Sequence, residues 1–435
     1  MLKRLSSHSL KSIYLLSLLI LTSVIPESAQ AQFVKGADIG WLPQMEATGF
    51  KFYDSTGLQK DCIQILKDKG INTIRLRVWV NPSNDKINGH CSKNETVAMA
   101  LRAKAMGMRV MIDFHYSDTW ADPGKQTKPA AWASHSFAQL LDDVYNHTYD
   151  VLDSLKQSGV TPEWAQIGNE IAGGMLWPDG SSGNFTQLAQ LLNKGYDAAK
   201  AVDSSIKVVI HLESGNDNSK FRWFFDNAKN KGVRYDIIGM SYYPYWIGSD
   251  YTTSINSLQN NMNDMAARYN KDVMVVEVGG IDTQVQNTYD MLLAVIAKTL
   301  AVPGNRGLGV IYWEPEGARI WSGYQLSCWR SDGKPTAALN AFLKNTSGVG
   351  IPENPTDTNF NFYPNPSKGG ILNFEFNNES GYRQLNIYDS NGKLKKQENV
   401  TGKSDYSMSL DLSPGIYFVN LYTSNNSEIR KLVIW

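Results

Sequence analysis

Three cysteines are few for a chain of 435 residues, and Cys62, Cys91 and Cys328 show no CxxC spacing. An odd, scattered set excludes a zinc cluster and a dense disulfide framework. It leaves room for one bridge and one free thiol, and the sequence does not choose the pair. An excess of one charge is missing as well: Lys+Arg number 42 and Asp+Glu number 42. No overall field draws such a chain to nucleic acid or to an anionic membrane, so a neutral partner fits best. Beyond Ile13 to Ile25 no stretch approaches the ~20 apolar residues of a membrane span. No GxGxxG or Walker loop follows the first strand-like segment, which counts against a doubly wound nucleotide-binding sheet.

Aromatic side chains are plentiful, with 12 Trp and 21 Tyr. Their flat apolar faces and polar edges suit stacking on neutral polar ligands such as sugars. Residues 1–31 read as a signal peptide: Lys3, Arg4 and Lys11 precede the short apolar run, and Ala29-Gln30-Ala31 has the small-x-small form of a cleavage site. Export is therefore expected, with the mature chain starting near Gln32.

From 32 to 346 the pattern alternates between β-branched apolar runs and helix-period segments. The predicted strands are Phe33–Ile39, Thr73–Val80, Arg109–His115, Glu163–Gly168, Lys207–His211, Asp236–Ser241, Asp272–Val278 and Gly309–Trp313. Amphipathic stretches such as Leu58–Lys69, Thr96–Met106, Phe137–Ser158, Thr186–Val202 and Tyr289–Leu300 lie between them. Eight strands alternating with helices predict an α/β fold, the (β/α)8 TIM barrel. A Gly/Pro/Asn/Asp linker follows over 347–359. Over 360–435, short alternating runs separated by turn signals, with Ser390-Asn391-Gly392 as a hairpin turn, predict a small all-β sandwich without catalytic residues.

A barrel of this kind works at the C-terminal ends of its strands. Those ends read "RLRVWV", "DFHYSD", "GNE", "HLE", "SYYPYW", "VVEVGG" and "YWEPEG" for strands two to eight, and nine of the twelve tryptophans stand at strand ends or in the loops beyond. Glu170 ends strand four and Glu277 is the only charge in the apolar run of strand seven, so the two face each other across the cavity. A lone Glu is most simply the salt-bridge partner of an Arg. Two on facing strands, with an Arg on strand two, a His on strand three and a Tyr on strand six, are the equipment of glycoside hydrolysis.

"GNE" with a lone Glu ending strand seven is similar to the clan of retaining (β/α)8 glycosidases. "DFHYSDTWADPGKQTKPAAW" (113–132), "GADIGWLPQMEATG" (36–49) and "NTIRLRVWVNP" (72–82) resemble family 53, the arabinogalactan endo-β-1,4-galactanases. The resemblance covers about 33–345. It implies a secreted enzyme acting on neutral galactan, with Glu170 as acid/base and Glu277 as nucleophile. Around them, Asn169 is expected to hold the sugar 2-hydroxyl, Arg75 to keep Glu277 ionised by charge pairing, and Tyr243 to donate to the same carboxylate. Glu170, less compensated, is expected to keep its proton. His115, Asp118, Trp120, His211 and Trp313 complete the expected substrate-binding set, with Trp313 as the platform under the cleaved sugar. Some bacterial members of the family carry a calcium loop after strand seven. Here that segment is "VGGIDTQVQNTY", with one Asp, too few for the six to eight oxygens of calcium, so no metal is expected there and no cofactor is implied. The tail, through "YPNPSKGG", "SPGIYFVNLY" and "KLVIW", resembles the sorting domains read by type IX secretion machinery. A monomer, secreted or held at the cell surface, is the expected form; another endo-glycanase of the clan and an inactive glycan binder are the rival readings.

Overall fold

The structure is a computed structural model that describes residues 32–344, 360–376, 383–389, 393–423 and 427–435. The expected signal peptide, the linker over 347–359 and the Ser390-Asn391-Gly392 turn lie outside the described residues. Eight parallel strands close into a barrel: β1 (Val34–Asp38), β2 (Thr73–Val78), β3 (Arg109–Phe114), β4 (Trp164–Ile167), β5 (Lys207–Leu212), β6 (Ile237–Tyr242), β7 (Asp272–Val278) and β8 (Gly307–Trp313). Each pairs with its neighbours in sequence, and β8 pairs with β1 to complete the ring.

Seven helices cover the outside: α1 (Cys62–Asp68), α2 (Lys93–Ala105), α3 (Phe137–Gln157), α4 (Phe185–Val202), α5 (Asn218–Asn230), α6 (Tyr251–Tyr269) and α7 (Val285–Leu300). Their starts follow from capping chemistry. Ser92 with Glu95 and Ser136 with Gln139 form capping boxes at α2 and α3, satisfying amide donors that the first turn leaves free. α5 and α6 fill the two places for which no periodic stretch had been singled out. α5 buries Phe221, Phe224 and Phe225 on one face. Cys62, Cys91 and Cys328 are all free and buried, so the bridge for which the sequence left room does not form.

Strand alternation sends one set of side chains out to the helices and the other into the barrel. Toward the N-terminal ends of the strands the interior is apolar, built from Val34, Met111, Trp164, Val209, Ile237, Met274, Val276 and Ile311. Further along the strands, the same alternation brings in Asp38, Arg75, Asp113, Gln166 and His211, all fully buried. One departure from alternation matters. Val276 points inward, so an unbroken β7 would turn Glu277 out toward the helices. Instead β7 carries a bulge: Met240 pairs with Val275, and Ser241 pairs with Glu277. The extra residue re-aims Glu277 into the barrel beside Ser241.

The C-terminal region holds two antiparallel sheets. β9 (Phe360–Tyr363), β10 (Gly370–Phe376) and β13 (Asp405–Leu410) form one; β11 (Arg383–Asp389), β12 (Leu394–Asn399), β14 (Gly415–Thr423) and β15 (Ser427–Ile434) form the other. The inward residues Phe374, Leu385, Ile387, Val419, Leu421 and Leu432 make a core of their own. β11 and β12, which flank the undescribed turn, pair from Gln384↔Asn399 to Tyr388↔Leu394.

The charged layer of the barrel is organised by Arg75. Its Nη1 donates to Asp38 at 2.7 Å, and its Nη2 meets Asp113 and Glu277, each at 3.0 Å. Nη2 also reaches Gln166 at 3.0 Å and Asn169 at 3.1 Å. A cation taken out of water is tolerated only when its donors are met by charge and hydrogen bonds, and five side chains meet this one. Burial pushes the Asp113 carboxyl up, but Arg75 and His115 outweigh it and leave it below the usual carboxylate range. A group so depressed contributes stability above its unfolded pKa and loses it as pH falls through the folded one. Arg75→Met should therefore cost about 3–5 kcal/mol at neutral pH by leaving buried carboxylates unpaired. In urea unfolding the deficit relative to the parent should shrink below about pH 4; a variant of parental stability at pH 7 would contradict this.

Candidate active site

Above the charged layer lies a cavity of about 820 Å³, lined among others by His115, Trp120, Asn169, Glu170, Tyr243, Glu277 and Trp313. Glu170 and Glu277 therefore share one space at the C-terminal mouth of the barrel. Among the described residues no group of His, Cys, Asp or Glu is arranged to hold a metal ion.

The two carboxyl groups are held differently. Glu277 is 5% exposed and receives Arg75 Nη2 on Oε1 at 3.0 Å and the Tyr243 hydroxyl on Oε2 at 3.0 Å. Burial nevertheless pushes its carboxyl up to about 7, against the pull of Arg75. The expected pairing of Arg75 with Glu277 is present and lowers this carboxyl, but one guanidinium is divided among Asp38, Asp113 and Glu277. Glu170 is half-buried and, among the described residues, its carboxyl accepts only the Ser241 hydroxyl, on Oε1 at 2.6 Å. Burial and the nearby Glu277 carboxylate push its carboxyl well above the ordinary range. Of the two, Glu170 is the one pushed further toward its protonated form. Its backbone is left-handed, with φ of +50°, a conformation strained for a non-glycine residue. The turn of chain this makes at the end of β4 aims its N–H at His211 Nδ1, 3.4 Å away.

Asn169 lines the cavity. Its Nδ2 donates to Ala121 O at 2.9 Å and its Oδ1 accepts from Arg75, so its orientation is fixed. His115 lines it too. Its Nδ1 accepts from the Ala121 N–H at 3.1 Å, which leaves the ring hydrogen on Nε2 to donate to Asp113 at 2.8 Å. Trp120 is anchored through its indole N–H on Asn88 at 2.9 Å, and Trp313 packs edge-on against Trp41, Trp120 and Tyr324.

Three of the expected substrate contacts are placed elsewhere. Arg75 and His211 are fully buried beneath the cavity and do not line it; they act on the residues above them. Asp118 also stands away from it, because Oδ1 accepts from the Asn81 N–H and Oδ2 from the Ala130 N–H, each at 2.9 Å. It clamps two loops together. The tryptophans divide likewise. Trp120, Trp246 and Trp313 face the cavity, whereas Trp41, Trp79, Trp132, Trp321 and Trp329 are buried in packing. Arg77 explains part of that packing: it pairs with Glu314 and sits 4.5 Å from the Trp120 ring centre and 5.6 Å from those of Trp41 and Trp79, a cation held on aromatic faces.

Sequence reasoning missed Asp38, Asp113, Gln166, Ser241, Tyr324 and Trp246. The first three were open to a period-two reading: Asp113 is in phase with His115, and Gln166 with Gly168. Nothing in the alternation flagged Tyr324, which lies in the loop after β8.

Comparison with known proteins places this arrangement. The family model for glycosyl hydrolase family 53 matches residues 34–342, and that for the secretion system C-terminal sorting domain matches 361–435. The arabinogalactan endo-β-1,4-galactanase of Thermothelomyces thermophilus is 34% identical over 308 residues, which span 65% of this chain and 89% of that protein. The endo-β-1,4-galactanase of Bacillus subtilis is 32% identical over 314 residues, 66% of this chain and 71% of that one. Among solved structures, the family 53 catalytic domain of Ignisphaera aggregans superposes with a TM-score of 0.66 at 33% identity, covering 71% of this chain and 95% of its own. A fungal β-1,4-galactanase gives 0.66 at 30% identity, covering 72% and 99%. With the family model running the length of the barrel and relatives aligned along nearly all of it, this chain belongs to glycosyl hydrolase family 53.

Proposed function

We propose that the barrel is a retaining endo-β-1,4-galactanase, with Glu277 as nucleophile and Glu170 as acid/base. The observation that carries this division is the unequal support of two carboxyl groups in one cavity. Glu277 is held by a cation and a phenol, and Glu170 by a single hydroxyl. In the first step a Glu277 oxygen bonds to the anomeric carbon while the glycosidic C–O bond breaks, and the Glu170 proton passes to the leaving oxygen. In the second step Glu170 takes a proton from water, the water oxygen bonds to the anomeric carbon, and Glu277 leaves as carboxylate. This double displacement calls for carboxyl groups about 5–5.5 Å apart. Asn169, pinned between Arg75 and the Ala121 carbonyl, is suited to hold the 2-hydroxyl at that carbon, where its hydrogen bond strengthens as positive charge develops. Trp313, with Trp120, offers the sugar an apolar face. A galactan substrate follows from the activity for which the aligned relatives are named, and a neutral polymer suits a chain without net charge.

On this reading the enzyme releases β-anomeric galacto-oligosaccharides from linear galactan. Activity should fall on the acid side near pH 7, as Glu277 becomes protonated, and on the alkaline side as Glu170 loses its proton. Proton NMR of the first minutes of reaction checks the stereochemistry; an α-anomeric first product would exclude double displacement. Turnover of mannan, cellulose or xylan in preference to galactan would move the substrate elsewhere in the clan.

We infer further that the domain over 361–435 directs export through type IX secretion machinery, as its sorting-domain match suggests. Deleting it should leave the enzyme inside a host that has this route, and undiminished activity in the culture medium would refute the assignment.

A further inference from the structure

Ser241 touches both sides of the site. Its backbone pairs with Glu277 across the β6–β7 ladder, and its hydroxyl lies 2.6 Å from Glu170 Oε1. Behind it, His211 Nε2 lies 2.8 Å from Ser241 Oγ. Two consecutive strands and the turn after β4 thus supply a line from buried His211 through buried Ser241 to Glu170.

The direction of that line follows from His211. Burial and Arg75 hold its ring pKa well below the ordinary value, so the imidazole is neutral and carries one hydrogen. Its Nδ1 faces two donors, the Gln166 amide at 3.1 Å and the Glu170 N–H at 3.4 Å, along with Asn169 Oδ1 at 3.0 Å. Asn169 Oδ1 already accepts from Arg75 Nη2, so Nδ1 is assigned as acceptor of the two donors; the hydrogen then sits on Nε2, where it is donated to Ser241 Oγ. The Ser241 hydrogen then has one acceptor in line, Glu170 Oε1.

On the reading of Glu170 as acid/base, we propose that Ser241, oriented by His211, is a positioning residue that keeps Glu170 Oε1 an acceptor and so places the transferable proton on Oε2. Oε2 has no protein partner among the described residues, and the residue lines the cavity. A carboxylic acid whose hydrogen sat on Oε1 would donate it back to Ser241 and hold nothing toward a leaving oxygen. The same hydroxyl serves the second step, because a donor on Oε1 stabilises the carboxylate while Oε2 takes the proton of water. The ladder pairing with Glu277 fixes the spacing of the two carboxyl groups through the same residue. Glu277, Glu213, Arg75 and Tyr243 are the other charged or titratable groups around Glu170. None of them donates a hydrogen bond to its carboxyl among the described residues.

The experiment compares Ser241→Ala and the near-isosteric Ser241→Cys with the parent on two substrates, with melting temperatures measured alongside. Galactan has a leaving oxygen that needs a proton; dinitrophenyl β-galactobioside has one that does not. The proposal expects kcat/KM on galactan to fall about 10–100-fold, part of the roughly 10²–10⁴ that a general acid contributes, and to fall clearly less on the aryl glycoside. It also expects the alkaline limb of the galactan profile to move to higher pH, because removing a donor to the carboxylate raises the Glu170 pKa. Equal losses on both substrates overturn it. So does an alkaline limb that stays in place or moves lower, the sign expected if the hydrogen sat on His211 Nδ1 and Ser241 accepted from Glu170. Failure of the parent itself on galactan would count against the galactanase reading instead, and the aryl substrate separates the two.

Discussion

One guanidinium sets the geometry of this site. Arg75 comes from β2 and is met by Asp38 of β1, Asp113 of β3, Gln166 of β4, Asn169 beyond β4 and Glu277 of β7. Four strand ends are thereby referred to a single buried cation on a fifth, and the residues that face the cavity stand on it. A planar fork with five fixed donors does this in a way that a lysine ammonium cannot. The arrangement also limits itself. A charge shared with Asp38 and Asp113 does not offset the burial of Glu277, whose carboxyl is pushed up to about 7 although an arginine touches it.

The charged layer rests on an apolar one, and the division between them runs along the strands. Trp164, Met274 and Ile311 fill the lower barrel. Above them Asp38, Arg75, Asp113, Gln166 and His211 carry polar atoms and are bonded sideways to one another or to a neighbouring strand. The β7 bulge joins the two regimes. Val276 finishes the apolar layer and Glu277, one residue later, enters the charged one. Arg77 and its tryptophans form a second cation-centred cluster on the other side of Asp38, stiffening the wall on which Trp120 and Trp313 sit.

Much of this was legible in the sequence. The eight strands lie within two residues of the expected ones at nearly every end, because β-branched runs and turn residues mark a buried parallel strand clearly. Glu170 and Glu277 stood out as charges where apolar runs end. What did not show were features set by contact across strands. The bulge that turns Glu277 inward is a property of pairing between β6 and β7, and strict alternation would have placed that side chain outside. Asp118 reads from the sequence either as a substrate contact or as a loop cap, and the structure shows the cap, with backbone amides of two loops donating to its two oxygens. The tryptophans misled in part, since a ring at a strand end can pack on Arg77 as readily as on a sugar. Ser241 stands in a strand-end run with nothing to distinguish it, because a serine in a strand carries no signal until its partner on the neighbouring element is known.

The central claim is that two carboxyl groups in one cavity divide the work, Glu277 bonding to the sugar and Glu170 handling the proton. It is tested most directly by incubating the protein with an activated 2-deoxy-2-fluoro β-galactobioside, which slows the second step, and mapping the modified peptide by mass spectrometry. The account predicts one 2-fluoroglycosyl group per chain, on the peptide containing Glu277. A label on Glu170, or turnover of the reagent with no covalent species at all, would contradict it.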